Sequence, residues 1–236
     1  MEAFLRDSLK GLRDLFWPRR CCVCERGLDI DEEDICPECF SDIPLTYFWD
    51  WDENPAFEKL REKAPVKAAA CLFFFHHGAP YNHIMHSIKY GGGRLLGYRL
   101  GFILGRHLAG SGRFGSIDAV TSVPLHPLRR FKRGYNQAEV IARGIAAAMG
   151  LPYTAHLLVR RRYTRSQARL ATEEKARNVS GAFRLRENEA KKMAGLGTCH
   201  ILLVDDTLTT GATLGECACA LCEKFAVSVA ALAYAG

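Results

Sequence analysis

The stretch HILLVDDTLTTGATL, residues 200–214, decides how this chain is read. Four apolar residues, Ile201 to Val204, run into two adjacent carboxylates, Asp205 and Asp206. A bend with Thr207, Thr209, Thr210, Gly211, Ala212 and Thr213 follows. Leu202–Val204 reads as a buried strand, and ligands in open parallel sheets bind just beyond the carboxyl ends of their strands. A helix is predicted to begin near Gly211. Its first N–H groups lack intrahelical partners and carry the positive end of the helix dipole, which suits a phosphate. Thr209, Thr210 and Thr213 add hydroxyl donors, and Gly211 lets the backbone close around an anion. Asp205 and Asp206 repel a phosphate but suit two vicinal hydroxyls. The stretch therefore reads as a holder for a ribose 5-phosphate. It is not a Walker loop, because it lacks the GK[ST] ending and its acids come first.

Working outward, apolar runs at 69–75, 118–123, 155–159 and 226–233 read as further strands, with 200–205 as the strand of the motif. Helical patterns lie at 81–90, 95–109, 136–149 and 211–225. Alternation of this kind predicts an α/β fold, a largely parallel sheet flanked by helices. The 236 residues, 48% hydrophobic and 25% charged, suffice for one such domain with a small appendage. Residues 1–20 are predicted as an amphipathic helix, with Leu5, Leu9, Leu12 and Phe16 on one face, ended by Pro18. Residues 21–42 form a cysteine block, 43–67 a connector rich in Asp, Glu, Pro and Trp, and 68–236 the main domain.

The cysteine block pairs Cys21-x2-Cys24 with Cys36-x2-Cys39. Two such knuckles supply the four thiolates that a structural Zn²⁺ takes, with no position left for chemistry. A redox dithiol needs a strand before it and a helix after it, and neither is apparent. Cys22 is the spare neighbour. Cys222 reads as a core residue on the apolar face of Leu214, Ala218, Leu221 and Phe225; Cys71 and Cys199, in or beside strands, read the same way. Ten cysteines behind a charged N-terminus predict a reducing cytoplasm. No apolar run reaches the length of a membrane span. The net charge of +6 favours polyanionic partners without establishing one.

VDDTLTTGAT resembles the 5-phosphoribosyl-1-pyrophosphate (PRPP) motif of type I phosphoribosyltransferases. With the CxxC…CxxC block, HSIKYGG (86–92), VPLHPLRRFKRGYNQ (123–137) and RSQARLATEEKARNVSGAF (165–183), the chain is similar almost throughout to the ComF family, the competence-associated phosphoribosyltransferase-like proteins of bacteria. The resemblance implies that Asp205 and Asp206 hold the ribose hydroxyls while residues 209–213 cradle the 5-phosphate. Mg²⁺ would bridge the hydroxyls and the pyrophosphate. The turn Val123–His126 would meet the pyrophosphate, with Arg129, Arg130, Lys132 and Arg133 just beyond. Residues 160–178 resemble the loop that closes over PRPP. Lys89 and Tyr90 fall in a matching segment without an assigned role.

Two functions follow from the resemblance. One is uptake of transforming single-stranded DNA into the cytoplasm, at or near the inner face of the membrane and alongside DNA-uptake proteins. There the basic run and Tyr135 or Tyr163 would serve a strand by charge and stacking. The other is a phosphoribosyltransferase acting on an unknown acceptor. A threonine at position 209, where some purine enzymes carry an acid, speaks against purine salvage. The start Met1-Glu2 lacks the cysteine nucleophile of glutamine-dependent relatives.

Overall fold

The computed structural model describes residues 18–90, 92–160 and 182–236. The predicted N-terminal helix at 2–17 lies outside them, as do Tyr163 and nearly all of the predicted closing loop. Four strands form one wholly parallel sheet: β1 (Ala69–Phe74), β2 (Ala119–Ser122), β5 (His200–Leu208) and β6 (Ala226–Tyr234), in the order β1-β6-β5-β2. The two central strands are almost continuously apolar and buried, as strands covered on both faces must be.

Helices α3 (Asn82–Tyr90), α4 (Arg94–Gly110), α6 (Gln137–Met149) and α8 (Ala212–Cys222) lie close to their predicted spans. α4 and α6 pack with their backbones in near contact. A Cβ on Gly101 would strike the Ile141 carbonyl, and one on Gly144 the Tyr98 carbonyl. Four short helices escape the sequence reading: α1 (Pro37–Ser41), α2 (Pro55–Arg61), α5 (Pro127–Arg133) and α7 (Glu187–Gly195). The first three open on proline, whose fixed φ suits the first helical turn but leaves too few residues for a periodic signal.

Two expectations are corrected. The run 155–159 is not a strand of the parallel sheet. Its ordered part is β3 (Leu158–Arg160), which pairs antiparallel with the unforeseen β4 (Phe183–Leu185) in a separate ribbon. Three-residue strands carry too little alternation to be seen. Cys199 is exposed rather than core, because it precedes β5 at the sheet's amino edge. Cys71 is buried as expected, and Cys222 is half-buried against the core.

The connector is built into the fold. Phe48 and Trp49 are buried, and a parallel stack joins Trp49 to His107 of α4 at 4.2 Å. Asn54, fully buried, caps α2 by accepting from Phe57 N and donates to the carbonyls of Phe48, Trp51 and Ala69. Residues 44–46 run antiparallel along β1, covering its free edge. α2 is thereby held against the sheet beside the turn that follows β5.

Candidate functional site

β5 outruns its neighbour. β2 ends at Ser122, opposite Val204, and the last bond between them runs from Val123 N to the Val204 carbonyl at 2.9 Å. Beyond that level β5 continues through Asp205 to Leu208 with β6 on one side only. A cleft of about 150 Å³ opens where β2 stops. It is lined by Asp205, Asp206 and Thr213 from the motif, by the whole Val123–His126 turn, and by Lys89 and Arg133. The structure thus brings together segments that the sequence separates by more than a hundred positions.

The strand's carboxyl end explains the carboxylates' behaviour. Asp206 N donates to Asp205 Oδ1 at 2.8 Å. Burial, and then the neighbouring Asp206 charge, push the Asp205 carboxyl up to about 8, with Lys89 acting in the opposite sense. Lys89 Nζ sits 3.3 Å from Asp206 Oδ2 and 3.4 Å from Thr207 Oγ1. The lysine named without a role in the sequence is therefore the counter-ion of the second aspartate. Two acids at one strand end, one paired and one proton-hungry, form an acceptor set for hydroxyl donors.

The loop after β5 has the features of an anion seat. Gly211 is the N-cap of α8 and adopts φ +75°, a left-handed conformation open mainly to glycine. Thr209, Thr210, Ala212 and Thr213 are exposed, and Thr210 Oγ1 accepts from Ala212 N at 3.4 Å. Of these, only Thr213 reaches the cleft wall. Lys59, which the sequence reading missed, holds the loop from behind. Its Nζ donates to the Thr209 carbonyl at 2.9 Å and lies 4.8 Å from the Tyr234 ring centre. The peptide unit is planar and trans, so tying down that carbonyl turns the Thr210 N–H the opposite way, outward. Lys63 packs its chain against Gly211 and Gly215. No signal in a charged connector could have singled out either lysine.

The facing turn is held as firmly. Asn136 Nδ2 donates to the Val123 carbonyl at 3.0 Å, and Arg133 donates to Gln137 Oε1 at 3.0 Å. Of the basic run, Arg133 lines the cleft and Arg130 a smaller cavity beside it, while Lys132 is exposed. Tyr135 is not available for stacking. It is buried, its hydroxyl donates to the Ile88 carbonyl, and Arg94 covers its ring.

At the other end, the Sγ atoms of Cys21, Cys24, Cys36 and Cys39 all lie within 4.8 Å of one another, with Cys24 and Cys36 at 3.8 Å. A tetrahedron of thiolates with metal–sulfur bonds of about 2.3 Å has sulfurs roughly 3.8 Å apart, so the set fits a structural metal ion. Burial raises the Cys21 thiol, but backbone hydrogen bonds from Cys24, Cys36 and Val23 outweigh it and bring it down to about 7. Cys22, outside the cluster, is pushed up to about 12, chiefly by burial, and stays a thiol. Arg99 of α4 pairs with Glu33 and Asp34, which docks the module on the sheet domain.

The sheet, the cleft beyond β5 and the cysteine module together define a parallel α/β protein with an N-terminal four-cysteine module of the kind that holds a structural metal ion. No family model matches the chain. It is 25% identical to the DNA utilization protein YhgH of Escherichia coli over 212 residues, 89% of this chain and 86% of that one. The Salmonella typhimurium protein of the same name is 26% identical over the same span. Competence protein F of Haemophilus influenzae is 30% identical over 99 residues, 42% of each chain. The chain is thus similar to proteins named for DNA utilization and for competence. Among the described residues no helix is long and apolar enough to cross a membrane.

Proposed function

We propose that this chain binds PRPP in the cleft beyond β5 and serves the handling of incoming single-stranded DNA, with Zn²⁺ as the ion of its cysteine module. The observation that carries the PRPP reading is the cleft's polarity. Hydroxyl acceptors, Asp205 and Asp206, share the cleft wall with Thr213 of the 209–213 loop, with the Val123–His126 turn and with Arg133. That set, a hydroxyl-bearing loop, acceptors and a turn with a cation, suits a 5-phosphate, ring hydroxyls and a pyrophosphate. Mg²⁺ would arrive with the ligand and neutralise its pyrophosphate, while Asp205 and Asp206 orient the ribose through its hydroxyls. The names of the relatives, DNA utilization and competence, support the DNA role.

Calorimetry with PRPP and Mg²⁺ tests the cleft. An Asp205→Ala, Asp206→Ala variant removes the acceptors and leaves the loop and the turn. The charge-assisted bond to ionised Asp206, roughly 1.5–3 kcal/mol, by itself predicts at least about tenfold weaker PRPP. Ribose 5-phosphate weakens in parallel, whereas inorganic phosphate does not. Equal PRPP affinity in parent and variant would show that the aspartates do not hold the ribose.

A further inference from the structure

The helices that give Arg133 and Lys89 to the cleft also carry side chains that the cleft does not use. α5 presents Leu128 and Phe131 to water, 74% and 90% exposed, and Tyr90 at the end of α3 is 64% exposed. Rings this open contribute little to the core, and a cluster of them marks a contact surface. The same helix reads PLRRFKR, with no acid in it. Among the described residues Arg130 and Lys132 take part in no ion pair, so their charge awaits a partner. Arg133 links the two elements: its guanidinium lies 5.2 Å from the Tyr90 ring centre and donates to the Tyr90 hydroxyl at 3.4 Å. Tyr90 thus sits against a cation that lines the cleft, and Phe131 stands in water on the same basic helix.

We infer that these side chains form the surface that takes a single DNA strand, with bases stacked on Phe131 and Tyr90 and phosphates against Arg130 and Lys132. The inference rests on the DNA-handling reading above and gives it a location. It also replaces Tyr135, which is buried. Every base offers a π-face, so an isolated ring on a basic helix binds a strand without reading its sequence. A duplex keeps its bases stacked and gains only the charge term. An anionic membrane would also meet the cations, but it would reward apolarity at position 131 rather than aromaticity.

Fluorescence anisotropy with a labelled oligothymidylate about 20 nucleotides long, several sites' worth, reads the binding at low salt. Phe131→Ala and Tyr90→Ala are each expected to weaken it roughly fivefold or more. Phe131→Trp restores affinity and Phe131→Leu does not, since leucine keeps the apolar surface and loses the ring. Arg130→Ala with Lys132→Ala lowers the slope of log affinity against log salt by roughly 1.4, at about 0.7 per phosphate contact. Phe131 is almost wholly exposed, so its variants fold, and unchanged PRPP titration in them confirms an intact cleft. If the parent binds the strand while Phe131→Ala and Tyr90→Ala bind it equally well, this is the wrong surface and the DNA reading stands. If the parent binds no strand at low salt, both fall. If Phe131→Leu matches the parent and loss in Phe131→Ala is seen only with phosphatidylglycerol vesicles, the surface is a membrane contact and the inference is overturned.

Discussion

The cysteine module and the cleft beyond β5 are both polar sites, yet they are built in opposite ways. The module takes all four of its sulfurs from residues 21–39, a span in which chain geometry alone brings the ligands together. The cleft draws on α2, α3, the turn after β2, α5 and the end of β5. One site is a local loop closed on itself. The other exists only once the sheet has formed. A site of the first kind is fixed by its ligand and fails with it. A site of the second kind tolerates the loss of one contributor.

The largest effect should therefore come from the module. The four thiols have no other partner set of comparable strength, and structural zinc supplies folding free energy outright. The intact protein should carry about one Zn²⁺ per chain, and a Cys36→Ser, Cys39→Ser variant none. Residues 18–42 should then lose protection from hydrogen exchange while β5 and β6 keep theirs. Full zinc in that variant by plasma emission spectroscopy would sink the assignment. Full protection of residues 18–42 without metal would show that the Arg99 contacts to Glu33 and Asp34 suffice to fold it.

A middle-sized effect is expected from a residue that never touches the ligand. Lys59 reaches the loop after β5 from α2 and holds the Thr209 carbonyl. Lys59→Met should lose that hydrogen bond, together with the longer one to the Ala235 carbonyl and the ammonium's contact with the Tyr234 ring. With the Thr210 N–H no longer aimed, ribose 5-phosphate should bind several-fold more weakly, on the order of 1 kcal/mol. Lys59→Arg should recover most of it, which a purely structural role would not require. Unaltered affinity in Lys59→Met would mean that the loop is held by Gly211 and the start of α8 alone. The result separates a cleft that depends on its distant supports from one that is local after all.

This division also governs what could be read from the sequence. The motif at 200–214 announced a strand, a turn and a helix because its apolar run, acids and glycine act within a few residues of one another. The glycine at 211 is left-handed, as that role demands. The cysteine spacing was legible for the same reason. Lys59, Asn136 and the ion pair between Lys89 and Asp206 were not, since nothing local marks a residue whose partner lies far along the chain. Tyr135 shows the converse error: an aromatic beside a basic run reads as a surface ring, and only the packing of α4 over it reveals a core position. Phe131, three positions before the Gly134 cap, is the ring that the packing leaves out.

The smallest effect tests the opposite end of the same strand. His200 opens β5, away from the cleft, and its two ring nitrogens lie 3.0 Å from Ser116 Oγ and 3.0 Å from Ser228 Oγ. The imidazole is buried, and that burial holds its pKa below the ordinary value; Asp118, which accepts from the backbone N–H groups of Cys199 and His200, acts the other way. The folded state therefore binds a proton less readily than the unfolded chain. Its stabilising share is complete above the unfolded value of about 6.5 and is lost as pH falls from there through the depressed folded value. His200→Gln offers a donor and an acceptor and does not titrate. Thermal melts between pH 7 and pH 5 should show the parent losing more stability than this variant, by a margin set by one proton. PRPP affinity should change equally in both, because the cleft lies at the other end of β5. Parallel melting curves would mean that the fold leaves the His200 imidazole as easily protonated as in the unfolded chain, and a parent that gains on the variant would mean that it is already protonated in the fold. A difference in ligand affinity between the two proteins would mean that β5 transmits strain from one end to the other, and that the amino edge and the cleft are not independent.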